Sequence, residues 1–164
     1  MRALHVCLIT AALVLASVGA QAERFTAVVA TVVDGDTVWV RPDRGGAPRP
    51  VRIEGIDAPE ICQAFGVQSR NALKALVHRR RVVVISSRHD SNRRLLARLH
   101  RDGQDVGETM VVRGYAWSYR FRGHPGPYAQ QERRARHARA GLWAHKDAMV
   151  PRDFRVRNGS CYQR

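Results

Sequence analysis

The chain has 164 residues and carries 28 Lys+Arg against 14 Asp+Glu, a formal net charge of +14 at pH 7. That length supports one domain, and so large a basic surplus draws polyanions by long-range attraction and counterion release. Nucleic acid is therefore the expected partner class, ahead of anionic membrane or cell-wall polymers, and no later apolar run competes with the N-terminal one as a membrane span.

Residues 1–22 read as a signal peptide. Arg2 supplies the positive start, Val6 to Val18 is almost unbroken apolar but too short to span, and Ala20-Gln21-Ala22 fits a small-x-small cleavage site. The mature chain is expected to begin near Glu23, to be exported to the periplasm or secreted, and to be a monomer without membrane contact. Cys7 leaves with the peptide, and the two remaining cysteines, Cys62 and Cys161, are expected to form a disulfide in an oxidising compartment.

Phe25 to Val33 is rich in Val and Thr and stops at Asp34-Gly35, a hairpin signal. Thr37 to Arg41 follows as a second strand. Pro42 to Pro50 is a loop, and Val51 to Ile56 a third strand. From Phe65 to His78 the apolar residues recur at helical spacing. Arg81 to Ser86 is a β-branched fourth strand, Ser87 to Arg93 a polar loop, and Leu95 to His100 an alternating fifth strand. Two more helices are expected, from about Val106 to Arg113 and from about Pro127 to Ala140, each followed by a glycine suited to a C-cap. The fold class is thus α+β, a small five-stranded barrel with three helices packed on it. It occupies residues 23–150 and is followed by a basic, unpatterned tail over residues 151–164.

Six of the acids, Asp34, Asp36, Asp43, Glu54, Asp57 and Glu60, fall close together in this basic chain. Asp-Gly and Asp-Ala-Pro are good turn formers, so each acid taken singly has a local explanation. Clustered, they mark a candidate site for a cation or a proton-transfer group. Asp and backbone carbonyl oxygens are hard ligands suited to Ca²⁺ or Mg²⁺, and the histidines lack the spacing of a zinc site. A hard cation beside arginines suits phosphate: guanidinium forks grip its oxygens and a nearby carboxylate deprotonates water. Arg52, Arg93 and Arg94 are available for the grip.

Asp34-Gly35-Asp36-Thr37, Arg52-x-x-x-Ile56-Asp57-Ala58-Pro59-Glu60, Arg94-Leu95-Leu96-Ala97, the helix ending Val111-Val112-Arg113-Gly114-Tyr115-Ala116-Trp117, and Arg139-Ala140-Gly141-Leu142-Trp143 occur in that order. Together, over roughly residues 26 to 145, they resemble the staphylococcal nuclease (thermonuclease) family. The resemblance implies an OB-type barrel and a Ca²⁺-dependent endonuclease, a phosphodiesterase hydrolysing DNA and RNA with low sequence preference. Position by position it implies Asp36, Asp57 and the Ala58 main-chain carbonyl as Ca²⁺ ligands, Glu60 as the carboxylate that activates water, and Arg52 and Arg94 as phosphate-binding arginines. The family often has Thr where Ala58 stands, and Tyr-Gly where Asn92-Arg93 stands. That second departure favours the alternative, an OB-fold that binds nucleic acid without cutting it. Tyr115, Trp117 and Tyr119 are candidates either for base stacking or for the core.

Overall fold

A computed structural model describes residues 22–161, so the expected signal peptide lies outside the described residues apart from Ala22. β1 (Glu23–Val32) turns at Asp34-Gly35 into antiparallel β2 (Thr37–Pro42), which pairs in turn with β3 (Arg49–Ile53). A turn at Glu54-Gly55 leads to the two-residue β4 (Ile56–Asp57), and helix α1 (Gly66–Val77) follows. β5 (Arg81–His89) returns beside β1, and β6 (Leu95–Arg101) beside β5. The short β7 (Gln104–Asp105) opens into α2 (Val106–Val112). β8 (Trp117–Ser118) pairs with β4, and α3 (Ala129–His137) and α4 (Pro151–Asn158) are the last helices among the described residues.

The five long strands form a closed barrel in the order β3-β2-β1-β5-β6, shut by parallel pairing of β3 with β6. Side chains alternate across a strand, so one face of each supplies the core: Val29, Val38, Val51, Val84 and Leu99 are all fully buried. Leu73 and Val77 of α1 and Met110 and Val111 of α2 cover this core. At ~1.5–3 kcal/mol for each buried aliphatic side chain, apolar burial is the main stabilising term. This is the expected α+β barrel, with four α-helices among the described residues in place of three.

β5 runs on to His89, through part of the expected polar loop, and two departures bear on the site. The third strand, read as continuous over 51–56, breaks at Gly55, which has φ 83°. A Cβ there would come within 2.7 Å of Pro127 and 2.9 Å of Tyr128, so only glycine fits both the backbone angle and the approach of α3's entry segment. The break lets Ile56 and Asp57 leave the barrel and pair with Ser118 and Trp117. The second departure is α4, which occupies most of the stretch expected to be an unpatterned tail. The expected disulfide is present, joining Cys62 to Cys161 just beyond this helix.

Candidate active site

The Asp34–Thr37 turn is pressed against α1. A Cβ on Gly35 would lie 2.0 Å from Ser69 Oγ and 2.6 Å from the Ala58 side chain, so this glycine is required by crowding. The Asp34 carboxylate accepts the Asp36 N–H at 3.0 Å, and Asp36 Oδ1 accepts the Thr37 hydroxyl at 2.9 Å. Asp36 is 3% exposed and its Oδ2 accepts the Ala58 N–H at 3.1 Å, which joins the turn to the chain leaving β4.

Arg52, on β3 opposite Thr37, spans the two buried aspartates: Nη1 donates to Asp36 Oδ1 at 2.9 Å and Nη2 to Asp57 Oδ1 at 2.8 Å. The charge of Asp36 first, then that of Asp57, raises the Arg52 pKa further despite burial, so its charge is fixed. Burial, and then the charge of Asp36, push Asp34 up to about 7, and the same two causes hold Asp57 above the ordinary aspartate range although Arg52 and Arg155 pull it down. Asp36 and Asp57, beside the Ala58 main chain, form an oxygen-only donor set that fits a hard divalent ion. Among the described residues no group of three or more His, Cys, Asp or Glu side chains forms a metal cage.

Glu60 sits on the loop after β4 and lines the same 460 Å³ groove as Asp36, Arg52 and Arg94. Its N–H donates to Gln63 Oε1 at 3.1 Å. Arg94 lines the same groove just before β6. Its Nη1 donates to Thr37 Oγ1 at 3.2 Å, while Nε and Nη2 both reach Asp90 Oδ2 at 2.7 Å. Asp90 Oδ1 also accepts the N–H groups of Asn92 and Arg94, so this one carboxylate shapes the loop and aims the arginine. Arg93 has φ 61°, is exposed and is absent from the groove lining.

The structure thus brings together all six residues expected at the site. It also places Asp34 and Glu54 on the groove, whereas Asp43 pairs with Arg81 at 2.9 Å elsewhere. Of the aromatic candidates, Trp117 is buried edge-on against Trp143 and Tyr115 stacks on Phe65, but Tyr119 is 42% exposed and lines the groove. Sequence reasoning missed Asp90, Gln63 and above all Arg155 of α4, whose Nη1 donates to Glu60 Oε1 at 2.6 Å and to Asp57 Oδ1 at 3.4 Å. An Asp two residues before Asn92 was a detectable turn signal. Nothing local pointed Arg155 at a site on the far side of the sequence.

The family model described as "Staphylococcal nuclease homologue" matches residues 50–145, more than half of the chain. The chain belongs to the staphylococcal nuclease family. It is accordingly a nuclease, a hydrolase whose substrates are nucleic acids. It is 35% identical to a protein of Shigella flexneri named "Micrococcal nuclease", covering 88% of both chains. It is 34% identical to an "Uncharacterized endonuclease" of Haemophilus influenzae, over 81% of this chain and 74% of that one. It is 37% identical to "Protein ParB" of Escherichia coli, over 77% of each. Staphylococcal nuclease family membership covers β3, the Glu60 loop and the Arg94 loop directly; Asp36 lies before the matched range and joins the site through its bonds to Arg52 and Ala58.

Proposed function

We propose that this chain is an exported, Ca²⁺-dependent endonuclease that hydrolyses DNA and RNA with little sequence preference. The observation that carries the reading is one groove lined by Asp36, Ala58, Glu60, Arg52 and Arg94, in which Arg52 ties Asp36 to the buried Asp57. Asp36, Asp57 and the Ala58 carbonyl would hold the cation, which supplies charge neutralisation at the phosphate. The larger ion suits a set of two carboxylates and a turn carbonyl better than Mg²⁺, which demands tight octahedral geometry.

Glu60 takes the proton of the attacking water as its oxygen bonds to phosphorus and the bond to the leaving oxygen breaks. Arg52 and Arg94, approaching from β3 and β6, stabilise the charge that builds on the phosphoryl oxygens in a partly desolvated groove. Tyr119 offers a face on which a base can stack, and stacking tolerates any base. Export rests on the N-terminal targeting pattern and agrees with the disulfide.

The test is cleavage of single-stranded DNA and of RNA with Ca²⁺, with Mg²⁺ and with chelator. Cleavage of both with Ca²⁺, loss in chelator and weak activity with Mg²⁺ are expected. Equal turnover with Mg²⁺ alone would overturn the metal assignment, and binding without cleavage in every condition would favour a non-catalytic barrel.

A further inference from the structure

Arg52 and Arg94 are largely occupied inside the protein. Both terminal nitrogens of Arg52 are bonded to Asp36 and Asp57, and Nε, Nη1 and Nη2 of Arg94 are bonded to Asp90 and Thr37. Arg155 differs. Both of its contacts, at 2.6 Å to Glu60 and 3.4 Å to Asp57, use Nη1, and among the described residues Nε and Nη2 have no hydrogen-bond partner. Its side chain is 38% exposed and lines the same groove as Arg94. A guanidinium built only to neutralise carboxylates would present its fork to them; this one presents a corner and leaves two nitrogens for another acceptor.

The helix that carries Arg155 is fastened to the Glu60 loop on both sides. Before α4, Met149 O accepts Gln63 Nε2 at 2.6 Å, and the same Gln63 accepts the Glu60 N–H. Beyond α4, Cys161 is bonded to Cys62, two residues after Glu60. Such anchoring fixes Arg155 relative to Glu60.

We propose that Arg155 is a third phosphate-binding arginine, one that binds a backbone phosphate of the nucleic acid and depends on the Cys62–Cys161 disulfide for its position. The inference deepens the nuclease reading and shares its substrate class. Its test is arranged to be readable without cleavage.

The affinity of a single-stranded oligonucleotide is measured in chelator over a range of salt for the full chain, Arg155→Ala, Arg155→Lys and Cys62→Ser/Cys161→Ser, with KM and kcat measured separately with Ca²⁺. One lost phosphate contact lowers the slope of log affinity against log salt by about 0.7 on single strands. The expected result is that loss in Arg155→Ala, with KM raised about tenfold and kcat changed less than threefold. Arg155→Lys should keep the slope, because a point charge still binds phosphate, and the double serine variant should behave like Arg155→Ala. An unchanged slope overturns the inference, whether kcat rises, which would make Arg155 a brake on Glu60, or falls, which would make it only a prop for Glu60. Oligonucleotide binding with the expected slopes but no cleavage in any condition would sustain the inference and overturn the catalytic reading.

Discussion

Arg93 adopts φ 61°, a conformation that costs a residue with a Cβ about 1 kcal/mol or more and costs glycine nothing in steric terms. The family's Gly at this position is explained by that angle. Arg93→Gly is expected to leave turnover intact and to raise stability by roughly 0.5–1 kcal/mol, since relief of strain outweighs the added freedom of the unfolded chain; an unchanged or lowered Tm would refute it. Arg94→Lys keeps the charge but not the fork that bridges Asp90 and Thr37, and should lower kcat about a hundredfold. Glu60→Gln, which keeps the shape and loses the proton acceptor, should lower kcat by about 10²- to 10⁴-fold while oligonucleotide binding persists. Turnover at the parent rate would assign the base elsewhere.

Asp90 links the Arg94 geometry to pH. Partial burial pushes its carboxyl up, but the N–H of Arg94, the Arg94 guanidinium and the Asn92 N–H together hold it below the ordinary aspartate value. A depressed folded-state pKa stabilises the fold above the unfolded-state pKa, and that stabilisation is lost as pH falls through the folded value. The stability gap between the parent and Asp90→Asn should therefore be full at neutral pH and close below the ordinary aspartate range. A gap that stays constant down to strongly acidic pH would show that shape, and not charge, is what Asp90 contributes.

The last helix shows why some elements could be read from the sequence and others not. β1 and β5 announce themselves by β-branched runs, β6 by period-two alternation and α1 by a buried stripe, because barrel and helix each bury one face. α4 has no such stripe. After Pro151, Phe154 and Val156 are its only large apolar residues, and Val156 is 81% exposed. Its signals were terminal ones: Pro151 in the first turn, Asp153 near the N-terminus, Arg155 and Arg157 in the last turn and Gly159 just beyond. Tertiary anchoring supplies the rest, which composition does not reveal. Reduction should free α4 while the barrel stays folded, so trypsin should cut at Arg152, Arg155 or Arg157 much faster with reductant than without. Equal rates would mean that packing alone holds the helix. The six site residues were identifiable because motif and spacing carry them, whereas Arg155 acts from the other end of the chain, where sequence distance hides spatial proximity.

For the molecule as a whole, the barrel is shut by β3 lying parallel to β6, with Arg52 in register with Leu96, two residues from Arg94. Strands separated by α1 and β5 must therefore meet before the two arginines face one groove. Non-local pairings form slowly because the intervening loop entropy is lost before any contact rewards it. In refolding from denaturant with the disulfide intact, cleavage activity should consequently return with the slowest phase, after helical signal has recovered and after most apolar surface is buried. The half-closed barrel would have its hydrophobic core forming while its cutting groove is still divided between two unpaired strand edges. Activity in an earlier phase would show that the site assembles without that closure. If the order holds, the time at which the chain becomes able to damage nucleic acid is set by its last strand pairing.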